Sequence, residues 1–149
     1  MEAKYYYKDG TTSSEELPKI LHREDGPAVS ILYNHRGVRY WYMEGGLHRV
    51  DGPAIEYGDD SKEWWVGGDR HRVDGPAIKN VNGTNEWYIE GKRHRIDGPA
   101  VDYKDGPKHW FVDDIEYTEE QFNLLIRDAR TLPLALRLTD PREWIRKIS

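Results

Sequence analysis

The sequence predicts a mostly β protein: a tandem array of β-hairpin repeats of about 23 residues, closed by a small C-terminal helical cap. Three observations predict it. The block His-Arg-x-Asp-Gly-Pro-Ala occurs four times, at His22–Ala28, His48–Ala54, His71–Ala77 and His94–Ala100, with spacings of 26, 23 and 23 residues. A ring runs in phase with it, because Trp41, Trp64, Trp87 and Trp110 are each 23 residues apart. The composition is that of strands and turns, with six Trp, ten Tyr and only two Phe beside 14 Gly and 8 Pro. Aromatic side chains suit a half-buried pleated surface, and Gly and Pro mark its turns.

Each unit reads alike. Gly-Pro-Ala opens a short strand, as in Ala54-Ile55-Glu56-Tyr57; Pro, lacking an N–H, suits the entry to a strand. A turn follows at Asn82-Gly83 or Asp105-Gly106, dipeptides that readily take positive φ. A second strand carries the rings Trp41-Tyr42, Trp64-Trp65, Trp87-Tyr88 and Trp110-Phe111. A further Gly-containing turn returns the chain to the next His-Arg. Strands this short cannot stand alone, but stacked units can share one core. The three extra residues between the first two blocks place an extra-long hairpin or a bulge within residues 29–40. The array is expected over residues 1–115, with a degenerate first unit at 1–27 whose Tyr7-Lys8-Asp9-Gly10 matches Tyr103-Lys104-Asp105-Gly106.

Residues 116–149 change period and read as the cap. Thr118-Glu119-Glu120-Gln121 is a capping box, and Phe122, Leu125, Ile126 and Ala129 make a helical apolar stripe. Pro133 interrupts the pattern. Asp140-Pro141-Arg142-Glu143 is a second helix start, followed by Trp144, Ile145 and Ile148.

Composition and charge exclude several functions. Cysteine is absent, which removes disulfides, thiolate nucleophiles and cysteine-ligated metals. The net charge is -5, all of it in residues 1–115, so nucleic acid is not an expected partner. Neither a signal peptide nor a run of 18 apolar residues is present, so no membrane is expected and the expected compartment is the cytoplasm.

The repeated block invites a chemical reading. His48/Asp51, His71/Asp74 and His94/Asp97 have the types of acid–base pairs, and a ladder of His48, His71 and His94 could suggest a metal. A catalytic pair is not needed in every unit of a repeat, whereas a fold element is. The block therefore reads as a structural hydrogen-bond cluster of His48, Arg49, Asp51, His71, Arg72, Asp74, His94, Arg95 and Asp97. Asp before Gly-Pro can accept N–H groups within a turn, Gly can relieve a strained φ, His can donate to the Asp, and Arg can fork onto a carboxylate or lie over a ring. No Ser lies in a nucleophile elbow, and neither a phosphate loop nor a dinucleotide fingerprint is present. No enzymatic activity, metal or cofactor is expected. Trp41, Trp64, Trp87 and Trp110 read as core.

With these motifs in hand, the chain resembles the small tandem-repeat proteins of bacteriophages and large DNA viruses that carry His-Arg-x-Asp-Gly-Pro-Ala, and more distantly MORN-type repeats. The resemblance covers roughly residues 20–115. Leu132-Pro133-Leu134 and Leu138–Trp144 are also similar to the ending of some phage members. The resemblance implies successive hairpins and a viral source. Tyr42–Gly45, Trp65–Gly68 and Tyr88–Gly91 match the MORN core only loosely, so membrane binding is not carried over.

The expected function is a non-enzymatic protein–protein interaction module, of the kind a phage accessory protein would use to inhibit a host protein in the host cytoplasm. The contact candidates are Tyr42, Asp59, Asp60, Trp65, Tyr88, Arg127 and Arg130. A small-ligand binder or hydrolase built on the His/Asp/Arg cluster is the rival reading. A virion or assembly component, which would self-associate, is a third.

Overall fold

The computed structural model describes residues 2–14, 21–33 and 36–130. The chain begins with β1 (Glu2–Tyr6), β2 (Thr12–Ser13), β3 (Val29–Tyr33) and β4 (Arg36–Tyr40). Two similar units follow: β5 (Tyr42–Met43), β6 (Gly46–Leu47), β7 (Ile55–Tyr57) and β8 (Lys62–Glu63), then β9 (Trp65–Val66), β10 (Asp69–Arg70), β11 (Ile78–Lys79) and β12 (Asn85–Glu86). The last comprises β13 (Tyr88–Ile89), β14 (Lys92–Arg93), β15 (Val101–Asp102), β16 (Lys108–Val112) and β17 (Ile115–Tyr117), and α1 (Glu119–Arg130) ends the described chain. The expected mostly β fold with a C-terminal helix is therefore present.

Each unit makes two hairpins end to end. The first joins its neighbours in an 11-stranded sheet of order β17-β16-β15-β12-β11-β8-β7-β4-β3-β1-β2. The second stands apart as a two-stranded hairpin, β5–β6, β9–β10 or β13–β14. The phased Trp is the joint between them. Its N–H donates to the Ala carbonyl of the next Gly-Pro-Ala, as in Trp41 to Ala54, Trp64 to Ala77 and Trp87 to Ala100, each 2.8 Å. Its own carbonyl accepts the next His N–H, from His48, His71 and His94, at 3.0–3.1 Å. The small hairpins are linked by further backbone bonds, including Arg49 N–H to Trp65, Arg72 N–H to Tyr88 and Arg95 N–H to Phe111. Strands of two residues persist because their backbone groups are paired from unit to unit.

The turns are of two kinds. In the small hairpins both central residues have positive φ: Glu44 and Gly45 at 52° and 81°, Gly67 and Gly68 at 62° and 89°, Glu90 and Gly91 at 49° and 77°, Asp113 and Asp114 at 51° and 65°. That is the two-residue turn whose twist matches the strands it joins. The sheet hairpins close more widely: Tyr57 N–H donates to Ser61 and Asp60 N–H to Tyr57, a pattern repeated at Asn80–Thr84. The left-handed residue there is Asp60 at 71° or Gly83 at 87°. The Asp59 and Asn82 side chains accept the N–H two residues on, from Ser61 and Thr84, at 2.9 and 2.8 Å. The predicted longer hairpin is β3–β4, with five cross-strand pairs from Val29↔Tyr40 to Tyr33↔Arg36.

The core is thin and repeats with the motif. Ala28, Ala54, Ala77 and Ala100 are fully buried, and Val29, Ile55, Ile78 and Val101 beside them are 5–7 % exposed. Ala suits this place because its carbonyl must meet the ring residue's N–H at close range. Trp41, Trp64, Trp87 and Trp110 are half-buried, not deep core as expected. They hold the bend, where the sheet gives way to the small hairpin and one side stays open.

The ends depart from the repeat. At the N-terminus Tyr6 takes the place of the Trp, donating its N–H to Ala28 and accepting that of His22. The Tyr7–Gly10 turn closes as the Tyr57–Asp60 turn does, with Gly10 at φ 80°. It follows the ring residue, however, whereas Tyr103–Gly106 precedes one, so the match in sequence is a match of turn and not of phase. At the other end the last hairpin runs to Tyr117 and the helix begins at Glu119, two residues past the expected division at 115/116. The capping box forms as read: Thr118 Oγ1 accepts the Gln121 N–H at 3.2 Å and Gln121 Oε1 accepts the Thr118 N–H at 2.9 Å. Phe122 and Ile126 pack on Val112, with Leu125, Trp110, Tyr117 and Ile96 around them. Pro133, the second helix start at Asp140 and the rings and aliphatics at Trp144, Ile145 and Ile148 lie outside the described residues.

Candidate functional site

The four His-Arg-x-Asp-Gly loops form one row beside the small hairpins, and in each the Arg does the binding. Its Nε donates to the Asp two residues on: Arg23 to Asp25, Arg49 to Asp51, Arg72 to Asp74 and Arg95 to Asp97, at 2.6–2.8 Å. Its Nη1 donates to the Pro carbonyl, for Pro27, Pro53, Pro76 and Pro99, at 3.2–3.4 Å. Its guanidinium lies over the preceding ring residue, 4.0 Å from the centre of Tyr6, 4.1 Å from Trp41, and 3.9 Å from both Trp64 and Trp87. The stacking and the carbonyl bond contribute more than the ion pair does, because Asp51, Asp74 and Asp97 are 75–77 % exposed and solvent screens an exposed pair. The hydrogen bond from Arg, ahead of the bare charge, holds the Asp25, Asp51 and Asp74 carboxyls below the usual carboxylate range.

This arrangement corrects two expectations. His does not pair with the Asp of its own block. His48 Nδ1 accepts the Gly67 N–H at 3.0 Å, His71 Nδ1 that of Glu90 at 3.2 Å and His22 Nδ1 that of Glu44 at 3.3 Å. The imidazole thus braces the turn of the following hairpin. In the last unit His94 meets the Asp113 carboxylate instead, at 2.9 Å. The Asp is taken by the Arg Nε, and the His ring is turned to the next hairpin instead. The block's Gly is also not there for a strained φ, since Gly26, Gly52, Gly75 and Gly98 are not among the positive-φ residues. A Cβ at those sites would stand 3.0–3.1 Å from the Arg Cζ. The Gly makes room for the guanidinium.

The cluster is thus committed to its own fold, through backbone groups, rings and the Arg–Asp and His94–Asp113 contacts. Among the described residues no group of three or more His, Asp or Glu could hold a metal ion. No helix of the described chain is long and apolar enough to cross a membrane.

The expected contact residues divide. Asp59, Asp60 and Arg127 are exposed. Asp59 caps its turn, Asp60 supplies the left-handed residue, and Arg127 Nε reaches Asp128 at 3.3 Å. Arg130 closes α1. Trp65, Tyr42 and Tyr88 are half-buried and belong to a second ladder on the other side of the bend. There Trp65 Nε1 donates to Glu63 at 3.0 Å, Tyr57 Oη donates to the same carboxylate at 2.8 Å, and Arg70 lies between the Trp65 and Tyr88 rings. Tyr88 Oη donates to Glu86 at 3.0 Å, and Tyr42 leans on Tyr40 with ring centres 6.4 Å apart. Burial and then the Glu63 acceptor push the Tyr57 phenol well above the usual range, and burial with Glu86 raises that of Tyr88. These groups are bound to their own fold.

What the contact candidates missed is the x of the motif. That position holds Glu24, Val50, Val73 and Ile96. Ile96 is packed under α1, whereas Val50 and Val73 are each 82 % exposed. Next to Val73 lies a hollow of about 700 Å³ between the third and fourth loops, lined by Asp74, Trp87, Ile89, His94 and Ile96. The signal was present in the sequence: an apolar residue recurs at the one free position of an otherwise polar loop. No protein-family model, curated protein or solved structure matches the chain.

Proposed function

We propose that the chain is a non-enzymatic protein-interaction module, a stiff hairpin scaffold that offers its loop row to a partner protein. One observation carries this reading. Val50 and Val73 stand where Ile96 stands in the last unit, yet each is 82 % exposed while Ile96 is partly buried against the α1 cluster. Scattered exposed aliphatics are ordinary, but aliphatics recurring at one repeat position form a surface. Each Arg of the cluster is committed to a ring and a carbonyl and His48 and His71 to a backbone N–H, with His94 on Asp113 as the exception, and this supports a scaffold over a catalyst. In a phage setting, as the motif's resemblance implies, the partner is a host protein.

The test is capture of partners from a host lysate by the full chain and by two variants. Val50→Arg/Val73→Arg is expected to lose a captured protein while keeping its urea midpoint. Asp59→Lys/Asp60→Lys is expected to retain it. The opposite pattern would move the surface to the sheet turns, and capture of nothing by any form would end the reading.

A further inference from the structure

The hollow beside Val73 and the seat of α1 are the same place in consecutive units. The side chains that receive α1 are Ile96, Trp110, Val112 and Tyr117. Moved back by one repeat of 23 residues these become Val73, Trp87, Ile89 and His94, and all four line the hollow. In the last unit the place is filled by Phe122, Leu125 and Ile126, which an α-helix brings to one face at positions i, i+3 and i+4. One unit earlier Val73, Trp87, Ile89 and His94 border an open space of about 700 Å³, whose further wall is Arg95, Ile96 and Asp97 of the next loop.

We infer that this hollow is a docking site for an amphipathic helix of a partner protein, seated as α1 is seated one repeat later. The inference rests on the interaction-module reading and names the partner's chemistry. Shape selects a helix, because the chain's own helix fits the equivalent walls. Charge selects its flanks. At the rim the Asp74 and Asp97 carboxylates face outward, 76 % and 75 % exposed, while the Arg72 and Arg95 side chains that bind them are only 22 % exposed. The outermost charges of the rim are thus carboxylates, each with its paired Arg behind it, and they suit a helix with Lys or Arg beside its apolar stripe. The helix's apolar residues would meet Val73, Ile89 and Trp87, and its cations the two carboxylates.

The probe is a stapled helical peptide with Phe, Leu and Ile at the spacing of Phe122, Leu125 and Ile126 and with Lys at the remaining surface positions. Its control has the same composition with the apolar residues scattered around the helix. Titrated into the full chain, the amphipathic peptide is expected to move the Val73 and Ile89 methyl signals and the Trp87 indole signal, and the control is not. Val73→Arg is expected to weaken binding at least tenfold, and raising the salt from 0.05 to 0.5 M to weaken it further. No localised shift, or equal shifts with both peptides, overturns the inference. Movement of the same signals with protein concentration alone makes the occupant a second copy, which also overturns it. If the peptide fails while a lysate protein is still captured through Val50 and Val73, the interaction module stands and its helical partner falls.

Discussion

Trp87 and Trp110 occupy the same repeat position and are covered in different ways. Over Trp87 lies the guanidinium of Arg95, held by Asp97 and the Pro99 carbonyl. Beside Trp110 there is no further loop: Tyr117 stands where a His would, Thr118 where an Arg would, and the chain turns into α1. Phe122 and Ile126 then build an apolar cluster with Val112, the residue two beyond Trp110. Val112 is 1 % exposed, while its counterparts Met43 and Val66 are 39 % and 36 % exposed and Ile89 is half-buried. An internal unit is thus closed by a polar clasp that leaves its outer aliphatics wet, and the terminal unit by a helix that dries them. A clasp is cheap in surface and can be repeated. A helix needs apolar walls on both sides, and it is found where the array stops.

The comparison breaks most visibly at the helix. Phe122→Ala should cost about 3–5 kcal/mol, because a buried ring is lost from a cluster with few other members. Urea unfolding followed by Trp fluorescence measures it, and a loss under about 1 kcal/mol would mean that α1 does not support the last hairpin. Ala77→Leu strains an internal unit instead. The fully buried methyl has no room to grow, and the expected cost is about 1–3 kcal/mol in the same assay.

Arg72→Met keeps the stem but removes the clasp. It should cost about 1–2 kcal/mol through the lost stacking on Trp64 and the orphaned Pro76 carbonyl, and Arg72→Lys should recover little of it, since an ammonium cannot stack and fork together. Full recovery by Lys would reduce the clasp to a point charge. Thr118→Ala removes the cap of α1 and should cost about 1 kcal/mol, read as lost helix by circular dichroism and a lower urea midpoint.

The smallest effect is on pH. The Asp25, Asp51 and Asp74 carboxyls are held below their ordinary range by hydrogen bonds from Arg23, Arg49 and Arg72. A depressed carboxyl contributes stability that is present above its unfolded pKa and is lost as pH falls through the folded one. The wild type should therefore lose more stability below about pH 4 than an Asp51→Asn/Asp74→Asn variant does. Identical acid limbs in the two proteins would show that these exposed pairs contribute nothing measurable.

Much of the fold was legible in the sequence for a plain reason. A motif repeated at 23 residues forces each copy into the same local geometry, so turn residues and strand entries are read several times over. The capping box was legible because it is local, with donors and acceptors three residues apart. The site was less so. His71 and Asp74 are close in sequence, and closeness suggested a pair, yet His71 meets Glu90 in the next hairpin and Arg72 takes the Asp. Trp65 promised a contact surface because it is large and aromatic, but its indole N–H is tied to Glu63. Glu90 is brought to His71 from 19 residues away by the bend at the ring residue, which no short window contains, while Asp74 and Glu63 lie two residues from Arg72 and Trp65 and only the folded geometry shows which neighbour they take.

The sequence by itself determined the hairpins, their period and the helix that ends them, because turn chemistry and apolar periodicity act over a few residues. Only the tertiary structure decided which aliphatics are wet. Glu24, Val50, Val73 and Ile96 hold one position in four similar loops, and what separates Ile96 from the two valines is a helix that arrives from more than 20 residues down the chain. Burial depends on what packs against a residue, and that neighbour is chosen by the folded chain as a whole.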